Sequence, residues 1–347
     1  MSQTAPAASL KTFSLKNRKG MSMTVTNFGG KVMSLNVPDR HGVPADIVLG
    51  FTKPEEYRNG NPYFGAIIGR CGNRIAKGQF TLDGKVHQLP VNNGPNHLHG
   101  GPIGFQNSVW EIIPTTVNGD EALELTYTSP DGEAGYPGTV KAKVLYILTR
   151  DNELSIEYSA VTDAPTIINL THHNFYNLAG ADSGSIVNHS LMLFASRFTP
   201  VSADLIPTGE LRSVEDTPFD FRKFHTIGER IDASDEQLRY GNGYDHNWVL
   251  DKPDSNALTL AAVVSEPGSG RIMEVFTTEP GMQLYTGNFL DNTDVGKGGK
   301  PYGYRTAFCL EAQHYPDSAN HAHFPSVVLR PGAGYYQKTV YKFSTED

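Results

Sequence analysis

Ten consecutive residues, Asn169-Leu170-Thr171-His172-His173-Asn174-Phe175-Tyr176-Asn177-Leu178, hold two histidines, three asparagines and two aromatics. A hydrophobic core has no use for so many proton-transfer and hydrogen-bonding groups in one tract, so chemistry is expected here. Adjacent residues of an extended strand point to opposite faces, so only one of His172 and His173 can look into a given pocket. The residues alone leave open which one does.

Four more tracts are polar, bounded by glycine or turns, and poor in core logic. Gly69-Arg70-Cys71-Gly72-Asn73-Arg74-Ile75 carries two arginines four apart, whose planar forks suit hydroxyl or carboxylate oxygens; the plainer alternative is a surface turn. Pro95-Asn96-His97-Leu98-His99-Gly100-Gly101 places two histidines on one face of an extended segment, a spacing that can ligate a metal, but no nearby Glu completes a set. Its glycine pair suggests backbone that approaches a ligand closely. Gly243-Tyr244-Asp245-His246-Asn247 reads as either a self-bonded turn or a binding tract. In Phe308-Cys309-Leu310-Glu311-Ala312-Gln313 an apolar strand leads into Glu311, with Cys309 and Gln313 on the same face. A carboxylate at the edge of a core has its pKa raised by desolvation. Together the tracts supply a Glu, several His, Arg, Asp and aromatic rings, the groups of an acid-base site for a polyol.

The elements that must hold these groups read as antiparallel sheet. Short β-branched and aromatic runs alternate with turn signals along the whole chain, and no helical periodicity lasts beyond about two turns. Asp83-Gly84 marks a type I′ hairpin, and Asn118-Gly119-Asp120, Arg150-Asp151-Asn152 and Gly268-Ser269-Gly270 are similar breaks. Leu154–Ala160 alternates strictly and Gln337–Phe343 more loosely, as strands with one solvated face do. The economical architecture is an all-β fold of two large antiparallel sheets packed as a β-sandwich, with loops 201–245 and 286–306 at the edges. No linker, repeat or low-complexity block divides the 347 residues, so 1–347 reads as a single domain.

Composition narrows the partners. A net charge of -8 without a basic stripe argues against a nucleic-acid surface. Two cysteines, Cys71 and Cys309, exclude a disulfide framework and a thiolate metal cage. No apolar run reaches the eighteen or so residues of a membrane span, and the start Met1–Ala8 lacks the pattern of a signal peptide. A cytoplasmic location is expected, with an exported mature form as the alternative.

In order and approximate spacing, these tracts resemble the aldose 1-epimerase (galactose mutarotase) family. The resemblance spans about 29–343. It includes the flanking stretches Pro62-Tyr63-Phe64-Gly65-Ala66, Ser129-Pro130-Asp131-Gly132-Glu133, Ile206-Pro207-Thr208-Gly209 and Tyr285-Thr286-Gly287-Asn288-Phe289. It implies a galactose mutarotase-like supersandwich with a sugar cleft, no cofactor and no metal. By the same matching Glu311 is the general base that takes the C1 hydroxyl proton, and His173 the general acid that protonates the ring oxygen. His99 supports them near C1, Arg74 and Asp245 hold ring hydroxyls, and Asn73, Gln283 and Tyr285 make further sugar contacts. The expected protonation is an ionised Glu311 beside an imidazolium, giving a bell-shaped pH profile. His172 stands where the family often has Asn and is expected to support the site from behind. His97 is expected to be structural or solvent-facing, and Arg70 and His246 either touch sugar or support it. Phe175-Tyr176 reverses the aromatic order usual in the family.

The implied partner is a small aldose, with the protein a monomer or homodimer, no membrane and no nucleic acid. Three rivals differ in what they require. A hexose-6-phosphate epimerase needs added cations for the phosphate, and the five tracts show none. A carbohydrate-binding protein has no use for paired Glu311 and His173. A glycoside-cleaving enzyme needs two carboxylates flanking the bond, a role open to Asp245 with Glu311.

Overall fold

Turn chemistry divides the chain as the sequence indicates. Asp83 (φ 51°) and Gly84 (φ 76°) adopt the two positive angles of a type I′ turn and join Gln79–Leu82 to Lys85–Gln88. Asn118 and Gly119 do the same between Glu111–Val117 and Asp120–Ser129. The breaks at 150–152 and 268–270 likewise separate paired strands. The computed structural model describes residues 9–346 apart from Pro62 and Ser255, so Pro62 and the amino-terminal stretch considered for targeting lie outside the described residues.

Beside a four-stranded sheet of Thr12–Lys16, Ser22–Thr26, Val32–Pro38 and Pro44–Asp46, the two largest sheets among the described residues form facing layers. One is a nine-stranded antiparallel sheet in the order Glu111–Val117, Asp120–Ser129, Val140–Leu148, Glu153–Thr162, Tyr335–Thr345, Arg271–Thr277, Thr259–Ser265, Ser190–Leu193, His225–Thr226. The last strand of the chain thus fills the centre of this sheet. The facing layer has five strands in the order Arg212–Ser213, Ala195–Thr199, Asp245–Leu250, Gly281–Tyr285, Cys309–Gln313. It continues sideways through a bridge between Tyr176 and Phe308 to Thr171–His173, which pairs with Ala66–Ile68. The all-β sandwich expected from alternation is the fold observed.

Alternate side chains of the five-stranded layer fill the core. Trp248, Met282, Leu284, Leu310 and Ala312 pack with Tyr146, Ile156, Tyr158 and Tyr341 of the nine-stranded sheet. The Tyr341 hydroxyl donates to Leu310 O at 3.0 Å and ties the layers together. Loop 201–245 is more structured than its composition suggests, since it holds two short strands and the helix Glu236–Gly241. That helix is too short for a periodic signature. It is fixed by Asp235, whose carboxylate accepts the N–H of Gln237 and Leu238. Among the described residues no helix is long and apolar enough to cross a membrane.

Candidate active site

The same strand alternation that sends Met282, Leu284, Leu310 and Ala312 into the core turns their neighbours the other way. Register places Asn247, Gln283 and Glu311 side by side across three strands, and Asp245, Tyr285 and Cys309 beside them. Thr171–His173 lies next to Cys309–Gln313, bringing His173 Nε2 to 3.5 Å from Glu311 Oε1. A second wall comes from residues 71–74 and 97–101, where Arg74 pairs with Leu98 and His99 N donates to Asn73 O at 3.0 Å. Gly100 is required here, because a Cβ would fall 1.8 Å from Gly69 O.

These walls enclose a cleft of about 500 Å³ lined by Asn73, Arg74, His99, His173, Asp245, Tyr285 and Glu311. Gln283 is the exception among the expected sugar contacts. It is not part of the lining; it is buried and donates Nε2–H to Asp245 Oδ1 at 2.8 Å. Arg74 approaches Asp245 Oδ2 at 3.7 Å and donates Nε–H to Asn93 Oδ1 at 3.0 Å, so the guanidinium is aimed by a carboxylate and an amide together.

The His173 ring is stacked on Phe175 at 4.8 Å and on Tyr63 at 5.6 Å, with interplanar angles of 17° for both. Stacking fixes the ring and strips it of water. Burial therefore pushes the His173 pKa down to about 3. Burial, reinforced by the Asp245 charge and opposed by Arg74, holds Glu311 well above the usual carboxylate range. Desolvation thus works against the charged form of each group, opposite to the expected pairing of a carboxylate with an imidazolium. Among the described residues neither Glu311 Oε2 nor His173 Nδ1 has a hydrogen-bond partner.

The remaining candidates are placed apart from the cleft. His172 faces the core, where its Nε2 lies 2.9 Å from the Tyr146 hydroxyl, the supporting position expected of it. Arg70 is 1% exposed and is consumed by Ser129, Pro130 and Pro137, so it braces the wall and does not touch a ligand. His246 points into the core against Phe219. His97 and His99 do not share a face, because His99 adopts φ 52° and turns the chain; His97 bonds Pro90 O and the Tyr136 hydroxyl, a structural role. Phe175 lines the cleft while Tyr176 is fully buried with its hydroxyl bonded by Asn174, so the reversed aromatic order gives the cleft an apolar wall. Ligand atoms of His99, His173 and Glu311 lie within 4.8 Å of one another, a cluster that the His97/His99 spacing did not anticipate.

Sequence reasoning did not single out Asn61, Tyr63, Asp204, Tyr240 or Phe289, all of which line the cleft. Tyr63 and Phe289 fall inside flanking tracts of the resemblance. Asp204 and Tyr240 come from loop 201–245, where nothing local marks them.

Comparison with known proteins identifies the family. The family model described as "Aldose 1-epimerase" matches residues 11–342. The chain is 44% identical to galactose mutarotase of Bos taurus over 97% of its own length and 95% of that protein. It is 37% identical to aldose 1-epimerase of Escherichia coli (strain K12) over 97% and 96% of the two lengths. Among solved structures, the GalM/aldose epimerase homologue from C. elegans superposes with a TM-score of 0.89 at 32% identity, covering 98% of this chain and 100% of that one. With a family model matched over nearly the whole chain, a relative 44% identical over 97% of it and the same fold, this protein belongs to the aldose 1-epimerase family.

Proposed function

We propose that the protein is an isomerase that interconverts the α and β anomers of free aldohexoses, galactose and glucose among them, by acid-base ring opening and closure. The observation that carries this reading is the buried Glu311–His173 contact of 3.5 Å within the cleft. Relatives named galactose mutarotase and aldose 1-epimerase supply the substrate class.

Glu311 takes the proton of the C1 hydroxyl as His173 gives one to the ring oxygen. The C1–O5 bond breaks, its electron pair stays on O5, and a carbonyl forms at C1. Rotation about C1–C2 presents the other carbonyl face. O5 then attacks C1, His173 recovers its proton from O5, and Glu311 returns its proton to O1. At 3.5 Å the two groups are close enough for proton exchange within the pair. Moving its single proton from Glu311 to His173 creates the base and the acid together, without exchange with solvent. Each well-placed transfer contributes roughly 10²- to 10⁴-fold.

Arg74 and Asp245 hold ring hydroxyls in this reading, with Asn73 and Tyr285 as further contacts, while Gln283 aims Asp245 from beneath. A hexose 6-phosphate is disfavoured, because among the described residues Arg74 is the only Lys or Arg of the lining and Asp245 already faces it. Polarimetry on freshly dissolved α-D-galactose and α-D-glucose tests the reading. Wild type should accelerate the drift of optical rotation and release no reducing ends from a glycoside. No acceleration on either sugar would refute it.

A further inference from the structure

Two imidazoles line this site and a third, His172, lies behind it, and they differ in which nitrogen is already committed. Tyr146 gives its proton to Gly30 O at 2.8 Å, so its oxygen must accept from His172 Nε2–H. His173 has Nε2 3.5 Å from Glu311 Oε1 and Nδ1 without a partner among the described residues, so neither nitrogen is fixed by a hydrogen bond. His99 is different again, because its Nδ1 accepts the backbone N–H of Asn73 at 3.1 Å. A ring nitrogen that accepts a hydrogen bond carries a lone pair, so the one proton of a neutral ring sits on the other nitrogen. Protonating Nδ1 would set two donors face to face.

We propose that the Asn73 backbone N–H locks His99 as the neutral Nε2–H tautomer, which makes His99 a permanent hydrogen-bond donor to a sugar oxygen and leaves acid-base exchange to His173 alone. Asn73 is then a positioning residue that acts through His99. What the donor meets rests on the epimerase reading; the tautomer does not.

The lock is built into the backbone. His99 N donates to Asn73 O at 3.0 Å while Asn73 N donates to His99 Nδ1, so two opposed bonds fix the ring to the neighbouring strand. Asn73 must hold φ 58° to turn its N–H toward the ring, and Asn is among the few non-glycine residues that tolerate that region. Its side chain supports the turn by accepting Arg74 N–H at 2.9 Å. The cleft reinforces neutrality, since burial first, then His173 and Arg74, keep the His99 pKa well below its ordinary value. A neutral donor needs no reprotonation between turnovers, so it can stabilise charge developing on a sugar oxygen in both directions of the reaction. The lock also counts against a metal at His99, His173 and Glu311. The His99 nitrogen facing the cleft carries the proton that a metal ion would have to displace.

Long-range ¹H–¹⁵N correlation of the histidine rings in the free protein, from pH 5 to 9, reads the tautomer directly. The signal lost in His99→Gln should show unprotonated Nδ1 and protonated Nε2, unchanged with pH. A His99 ring that is protonated on Nδ1, or that titrates within this range, overturns the lock. Asn73→Gly keeps the left-handed backbone and should keep the tautomer; Asn73→Val disfavours it and should give a mixture. Pure Nε2–H in a folded Asn73→Val would remove Asn73 from the account. For the donor role, His99→Gln retains an N–H and should lose about 10-fold in kcat/KM, whereas His99→Leu should lose about 10²- to 10³-fold. Equal losses in the two variants would refute that role. Absence of mutarotation in wild type would sink the epimerase reading and leave the tautomer result standing.

Discussion

The two faces of the strand pair Gly281–Tyr285 and Cys309–Gln313 obey opposite rules. On the inner face Met282, Leu284, Leu310 and Ala312 are at most 3% exposed and complete a close-packed core. On the outer face Gln283, Glu311 and Gln313 are as thoroughly buried, yet Glu311 Oε2 and Gln313 Oε1 lack partners among the described residues. Unpaired buried polar groups cost about 1–3 kcal/mol each. The sheet therefore gains stability from one face and concentrates uncompensated polarity on the other. Burial alone does not distinguish core from site; which face of the strand a side chain lies on does.

His172 and His173 divide the two faces between adjacent residues, one against Tyr146 in the core and one against Glu311 in the cleft, and allow the sharpest test of the comparison. His173→Asn removes the group stacked between Tyr63 and Phe175, and polarimetry should show a loss of about 10²- to 10⁴-fold in kcat with thermal stability retained. His172→Phe deletes the donor to Tyr146 and should cost about 1–2 kcal/mol of unfolding free energy while changing kcat by less than about 3-fold. The reverse pattern would mean that the faces have been assigned to the wrong imidazoles.

Lys31 is a buried charge outside the cleft. It is 0% exposed, its ammonium has no hydrogen-bond partner among the described residues, and it sits 4.4 Å over the Phe28 ring. Burial lowers its pKa from 10.5 to about 7. The unfolded chain thus binds more protons between these values, and stability rises with pH across that window. Below about pH 7 both states are protonated and the full penalty is present. Lys31→Met should raise stability by roughly 3–5 kcal/mol near pH 7, after allowance for the cation–π attraction, and the gain should shrink toward pH 10. A denaturation series that shows no stabilisation, or a gain growing with pH, contradicts this.

The smallest effect is electrostatic. Glu311 is raised by burial and, to a lesser degree, by Asp245. The Glu311–His173 pair must keep its shared proton to work, so activity should fall as pH rises through the pair's upper pKa. Asp245→Asn removes the nearby negative charge and should move that alkaline limb of kcat/KM to lower pH, besides raising KM. A limb that moves to higher pH would show that Asp245 does not act on Glu311 by charge.

Much of this was legible in the sequence, and the reasons are local. Asp83-Gly84 and Asn118-Gly119 name their own turns, and the alternation through Leu154–Ala160 gives sheet and face together. Glu311 could be placed at the edge of a core because the apolar run before it ends in a carboxylate. The residues that escaped depend on distant parts of the chain. Asp204 and Tyr240 reach the cleft only because loop 201–245 folds back over it. Gln283 was assigned to sugar because sequence cannot tell a side chain at a surface from one a layer beneath. The pKa directions of Glu311 and His173 run against the expected ion pair because a sequence shows which charges are present but not how much water the rings of Tyr63 and Phe175 remove.

The central claim is that the buried Glu311–His173 pair carries the proton traffic, and Glu311→Gln tests it most directly. The change is nearly isosteric and removes a desolvated carboxyl, so the variant should unfold at the same temperature or higher. Polarimetry on α-D-galactose should then show kcat reduced about 10²- to 10⁴-fold. A stable Glu311→Gln protein that still accelerates mutarotation at the wild-type rate would contradict the account.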